Sequence, residues 1–326
     1  MTYSSGSTIL DDDYNIFATG NAAGTGDNTV ANINTVWGTG TGDKGYGQTT
    51  TVSPVSAGAT ITATQWATLL TRMTSIANHQ GTTITGISNP NAGDTISAYA
   101  ALSSNITAIF NARLDAAGVG SDITTNGSNT TTSTWSTSAI IEKQYTWADA
   151  ASLRYYFNAG GQIRTNWSLT GGSDAKSVEW GDLLTQSGTI VCCGSGTSKT
   201  INSESLTGTT KIGGSGTPTT LLTGTGTEDY TASFVEIYKQ YADTAPYTAN
   251  YIKVEAKLGA TTNIIHLKTS LIDDAAEDTG YDGAGDALDI VDGTLTQTTV
   301  LRPPSTTYIT ATWGTPTIDT GTWAVT

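Results

Sequence analysis

The chain has 326 residues, of which 28 are acidic and 14 basic, giving a net charge of −14; hydrophobic residues make up 37% and charged ones only 13%. The acidic excess repels a phosphate backbone, which argues against direct nucleic-acid binding, and no apolar run reaches the roughly 18 residues of a membrane-spanning helix. The opening stretch MTYSSGSTILDDDYNIF lacks a basic segment followed by an apolar run, so no secretory signal is expected. About a fifth of the chain is Thr, a β-branched strand former, and 37 Gly supply turns. Such a composition suits a hydroxyl-coated β structure of the kind used on extracellular repeats and virion appendages. The length fits two domains, or one large β domain with an extension.

The first expected element is a short helix capped by Asp27 and carrying Val30, Ile33, Val36 and Trp37. Gly38 to Gly47 (GTGTGDKGYG) looks superficially like a phosphate cradle, but it lacks the preceding strand, the following helix start and the Lys-Ser/Thr pair, and reads as a turn. Thr62-Ala63-Thr64-Gln65 has capping-box form. Behind it Trp66, Leu69, Leu70, Met73 and Ile76 make one apolar helical stripe, with Gly81 as its stop. His79, in the last turn, suits an imidazolium at a helix C-terminus. A further helix is expected from Asp94-Thr95 through Tyr99, Leu102, Ile106, Phe110 and Leu114.

Residues 121–134 (SDITTNGSNTTTST) are nearly free of apolar groups and read as a linker. Beyond them the period changes, and strands are expected at Trp135–Tyr145, Gln162–Leu169, Gly188–Cys193, Ala249–Leu258, Asn263–Ile272 and Thr294–Leu301. Ile252, Val254, Ala256 and Leu258 alternate with Lys253, Glu255 and Lys257, the pattern of a half-buried antiparallel strand, with Ile264–Ser270 as its hairpin partner. Two short helices, Trp147–Phe157 and Glu179–Leu184, interrupt the series. Thr197–Thr227 reads as a long exposed hairpin or a loop, and the tail from Pro316 to Val325 as a terminal strand or an arm. These elements predict an α+β protein: a small helical N-terminal region (1–120), a linker (121–134), then a mainly antiparallel, β-sandwich-like domain (135–326).

Little in this pattern points to chemistry. Cys192 and Cys193 are adjacent, face opposite sides of a strand, and read as buried inert thiols. His266 reads as a surface or interface residue of its strand, and two isolated histidines make neither a metal site nor a triad. Eight acids crowd Asp273 to Asp292; Asp282, Asp286 and Asp289 are weak Ca²⁺ candidates, although the spacing matches no EF-hand loop. The same carboxylates could serve glycoside hydrolysis only if the fold set two of them across a cleft. No catalytic residue and no cofactor is assigned.

Several segments resemble a family of virion structural proteins from tailed phages, particularly marine cyanophages. They are VWGTGTGDKGYGQTTTVSPVSAGATITATQW (Val36 to Trp66), the helix ending NHQG (Asn78 to Gly81), ASLRYYFNAGGQIR (Ala151 to Arg164) and VEWGDLL (Val178 to Leu184). The resemblance covers roughly the first 190 residues, departs from the pattern at Gly20 to Asn28, and leaves the C-terminal third unmatched. It implies a place in a particle and identifies no active residue. On this reading the chain is a non-enzymatic component of the tail, neck or fibre, partnered by copies of itself and by other virion proteins. Trp66, Leu70, Tyr99, Phe110, Trp313 and Trp323 are the candidate assembly residues. The alternatives are a fibre or adhesin module binding host surface glycan, and a capsid decoration protein.

Overall fold

Helices gather in the first third of the chain and sheets in the rest. A computed structural model describes residues 10–88, 99–194, 196–275 and 290–326. The helices are α1 (Asp11–Thr19), α2 (Ile33–Trp37), α3 (Ala63–Gln80), α4 (Tyr99–Asn111), α5 (Ala150–Asn158) and α6 (Ala175–Ser187). The strands are β1 (Ser128–Thr131), β2 (Ser138–Thr146), β3 (Gln162–Thr170), β4 (Thr189–Cys193), β5 (Lys199–Ile201), β6 (Glu204–Leu206) and β7 (Thr209–Ile212), followed by β8 (Thr220–Leu221), β9 (Val235–Tyr241), β10 (Tyr251–Leu258), β11 (Ile264–Ile272), β12 (Thr294–Arg302), β13 (Thr317–Ile318) and β14 (Ala324–Val325). The start expected for α4, at Asp94-Thr95, lies outside the described residues.

Local chemistry explains the helix ends. Thr62 and Gln65 form the reciprocal capping box of α3, and Gly81 ends that helix at φ 76°, a left-handed conformation that costs Gly little. The cap of α2 is Asn32 rather than Asp27, which instead accepts bonds from the Thr29 amide and hydroxyl in a local turn. α1 was not expected from the sequence; it has three Asp in its first turn, where the helix dipole favours them, and a left-handed Gly20 at its end.

The strands form two main antiparallel sheets in a β-sandwich-like, mixed α+β fold. One runs β1-β12-β3-β4-β7; the other runs β13-β2-β11-β10-β9-β8, with β14 also on β2; β5 and β6 make a small separate hairpin. The predicted hairpin of β10 and β11 is present, with Val254 opposite Thr269 and Ala256 opposite Leu267. Residues 121–134 are not a free linker: β1 pairs with β12, and Ile123 bridges to Leu301. Thr197–Thr227 is likewise neither one long hairpin nor a loop, since it splits into β5–β6 and two strands that join different sheets. The tail provides β13 and β14 on the edge of β2.

Helices and sheets share one apolar core. Trp66, Leu69 and Met73 of α3 belong to the same buried cluster as Ile141, Trp147, Tyr156, Ile252 and Trp313. The GTGTGDKGYG turn is what seats the helices on the β region. Arg154 of α5 donates to Gly40 O at 2.8 Å, and Asn158 Nδ2 donates to the carbonyls of Gly42 and Lys44 at 3.0 Å. Gly47 has φ +71°, and a Cβ there would lie 2.3 Å from the Tyr155 ring, so only Gly fits. Tyr46 is fully buried and donates to Arg113 O, while Gln48 exchanges bonds with the Thr310 backbone.

His79 corrects an expectation. Its ring is buried against Tyr46, Nε2 donates to Ala159 O at 3.0 Å, and burial pushes its pKa from 6.5 down to about 4. The imidazole is therefore neutral, because desolvating a cation costs more than the helix terminus returns. The unfolded chain takes a proton near pH 6.5 and the fold only near 4, so stability present above pH 6.5 is lost as the pH falls toward 4. The loss is on the order of 3 kcal/mol. Urea midpoints of the native chain should fall faster between pH 7 and 4.5 than those of His79→Gln, which can still donate to Ala159; parallel curves would refute the assignment.

Candidate interaction surface

The most organised exposed surface is the outer face of the sheet carrying β2, β11, β10 and β9. Strand alternation sends Ile252, Val254 and Ala256 inward and sets Tyr251, Lys253, Glu255 and Lys257 outward. Pairing then places Glu255 opposite Lys268, Lys257 opposite His266, and Lys253 opposite Lys239. Four of the 14 basic residues, Lys239, Lys253, Lys257 and Lys268, thus stand on one face of a strongly acidic chain.

Their ammonium groups are tied to aromatics and carboxylates. Lys239 lies 3.8 Å from the Tyr251 ring centre and 4.6 Å from that of Tyr241, and the two tyrosines are 5.2 Å apart. Phe234 is flanked by Lys257 and Lys268, each at 4.2 Å. Glu255 bridges Lys268 at 2.8 Å and Lys253 at 3.2 Å. Partial burial raises the Glu255 pKa, but these two lysines outweigh it and hold the carboxyl below its ordinary value. His266 Nδ1 is 2.7 Å from Glu142 on β2, so this predicted surface histidine lies in the network. A face of fixed cations, aromatic rings and few free side-chain motions is suited to hold another surface without much ordering cost.

The candidate assembly residues lie elsewhere. Trp66, Leu70, Trp313 and Trp323 are buried within the chain itself, with exposures of 2%, 5%, 2% and 8%. Their apolar area is already consumed by folding: Trp313 sits edge-on to Tyr156, and Trp323 Nε1 donates to Asn129 O. Tyr99 and Phe110 are partly buried on α4, Tyr99 against Phe17 and Phe110 under the Arg113 guanidinium. The structure does not bring these six into one patch. The residues that do form a patch, Phe234, Lys239, Tyr241 and Tyr251, were missed because β9 was not read as a strand, which left Tyr251 on the expected strand β10 without its neighbours.

Asp282, Asp286 and Asp289 lie outside the described residues. The described ends of that acidic stretch meet the first turn of α6: Asp273 pairs with buried Lys176, and Asp292 accepts from the Ser177 hydroxyl at 2.9 Å. Among the described residues, no group of three or more His, Cys, Asp or Glu could hold a metal ion. Cys192 and Cys193 are both buried free thiols, on opposite faces of β4; desolvation pushes the Cys192 thiol up to about 12 and raises that of Cys193. No described helix is long and apolar enough to cross a membrane. A groove of about 420 Å³ runs between the helical region and the tail, lined by Trp37, Gln48, Arg72, Thr307 and Tyr308, with Arg72 stacked 5.0 Å from the Trp37 ring centre.

In comparisons with known proteins, no family model, no curated protein and no solved structure matches this chain.

Lys268 tests the surface network. Lys268→Glu removes its bridge to Glu255 and its contact with Phe234, and should cost about 1 kcal/mol, within the range of partly exposed pairs reinforced by cation–π contact. Lys268→Met keeps the stem over Phe234 and should cost less. Equal urea midpoints for all three chains would show that the network contributes nothing.

Proposed function

We propose that this chain is a structural protein of a tailed-phage virion, associated with the tail, neck or fibre, and that it acts by self-assembly and attachment. The observation that carries this reading is where the motif residues go. The GYGQ turn and the ASLRYYFNAGG helix, which carry the resemblance to virion proteins, interlock with each other through Gly47–Tyr155 and Asn158 on the turn's carbonyls. Their side chains are spent on joining helices to sheets, so the motif describes a building block.

The partner surface is the Lys/aromatic face. A chain with net charge −14 presents acidic surface to its neighbours, and four lysines on one face give that surface a complementary place to dock. Sedimentation velocity should show association of the purified chain that weakens with added salt and is lost in the Lys257→Glu/Lys268→Glu double variant. Mass spectrometry of purified particles of a tailed phage encoding the chain should find it in many copies. A chain abundant in the infected lysate yet missing from particles would overturn the reading.

One observation favours a second reading, a module that binds host surface glycan. The groove offers the exposed Tyr308 ring for stacking, the Arg72 guanidinium for an acidic sugar, and the Thr307 hydroxyl. Glycan-array binding that disappears in Arg72→Ala would support it, and an unchanged binding pattern would reject it.

A further inference from the structure

Lys143 occupies a position that a lysine should not hold. On β2 it is in phase with Ala139, Ile141 and Tyr145, the residues that face the interior of the sandwich, and its exposure is 0%. A buried ammonium normally has a carboxylate partner, because desolvation without one is costly. The hydrogen bonds of Lys143 go instead to neutral oxygens: the Asn126 carbonyl at 2.5 Å and, closer still, the side-chain Oδ1 of Asn129 on β1. Desolvation lowers its pKa to about 8, against an opposing pull from the charge of Asp319. At pH 8 about half of the side chain is therefore a neutral, nucleophilic amine.

Asn129 is held for that amine. Its Nδ2 donates to the carbonyls of Thr320 and Gly321, the latter at 2.9 Å, which turns Oδ1 and Cγ toward Lys143. Its backbone is fixed by pairing with Gln297 and by the Trp323 indole. The turn at Gly321 covers the lysine stem, since a Cβ there would lie 3.3 Å from Lys143 Cγ. Amine and carboxamide therefore sit in hydrogen-bond contact beside the C-terminal tail, and such proximity is what makes an intramolecular reaction efficient.

We propose that the folded chain joins Lys143 to Asn129 by an intramolecular isopeptide bond, formed without any enzyme and with release of ammonia. The Nζ lone pair of the neutral amine attacks Asn129 Cγ, and the C=O π pair moves to Oδ1. A proton passes from Nζ to Nδ2, the carbonyl re-forms, and the Cγ–Nδ2 bond breaks with its pair leaving on ammonia. Amine plus carboxamide gives substituted amide plus ammonia, so the step needs no oxidant or reductant. The product ties β1 of one sheet to β2 of the other, and stands independently of the virion reading.

The test is mass spectrometry of the purified folded chain after incubation at pH 8. The intact mass should fall below the sequence mass by one ammonia. Cleavage after Trp135, which separates the two residues along the chain, should leave their peptides joined as one branched species. Succinimide formation at Asn126-Gly127 also expels ammonia, but it leaves no branched peptide and survives Lys143→Met. That variant places an apolar side chain in an apolar position and is expected to fold. It should show no branching, as should Asn129→Ala, while Asn129→Asp should branch with loss of water instead. Branched peptide in the native chain and in Asn129→Asp, with none in Lys143→Met or Asn129→Ala, supports the proposal. Folded native chain, confirmed by circular dichroism, that keeps its full mass or yields only linear peptides overturns it.

Discussion

Everything in this fold depends on one constraint: the N-terminal helices pack on one another, and the apolar cluster they build is continuous with that of the sheet region rather than closed off from it. α3 offers Trp66, Leu69, Leu70, Met73 and Ile76, and these enter the same cluster as Tyr156, Phe157 and Trp313. The polar parts of the joint are equally committed. The carbonyls of the glycine-rich turn end on Arg154 and Asn158, and Gln48 ends on Thr310. Breaking the joint exposes a large apolar area and leaves several buried polar groups unpaired, so the helices and sheets stand or fall together.

The C-terminal segment closes that joint and a second one. It places Thr312 on Tyr46 O, Trp313 beside Tyr156, β13 and β14 on β2, and the 320–323 turn over Asn129 and Lys143. Residues far apart in sequence are thus held by the last stretch of chain. Under the proposed virion role this arrangement would be an advantage, because the outer sheet face is presented by a packed support rather than by a separate arm. On that face cations and rings restrain one another, which lowers the ordering cost of docking.

Much of this was legible in the sequence. Capping boxes, Gly stops and period-two alternation act locally, so α3, β3, β10, β11 and β12 could be read directly. What was lost had specific causes. β9 hides behind a bulge opposite Val254 and Glu255, which buries Ile237 and Tyr238 in succession and breaks the alternation. β1 is all Ser, Asn and Thr, since its strand character comes from pairing with β12 rather than from its own side chains. α1 carried its signal in three leading Asp and Gly20, but its short apolar stripe gave no period. The interior lysine was visible in phase with Ala139, Ile141 and Tyr145, and meant nothing until the fold placed Asn129 beside it. The tryptophans chosen for assembly were instead core residues, because large aromatics in a chain poor in apolar residues are the first to be buried.

The central claim is that helices and sheets form one cooperative unit around a shared core. Hydrogen exchange of the backbone amides in native conditions measures this directly. The account predicts that the slowest amides of α3 and those of β2 and β12 exchange with one common opening free energy and one common denaturant dependence. Helical amides that open at markedly lower free energy while the strands stay protected would contradict it, and would make the N-terminal region a separate module.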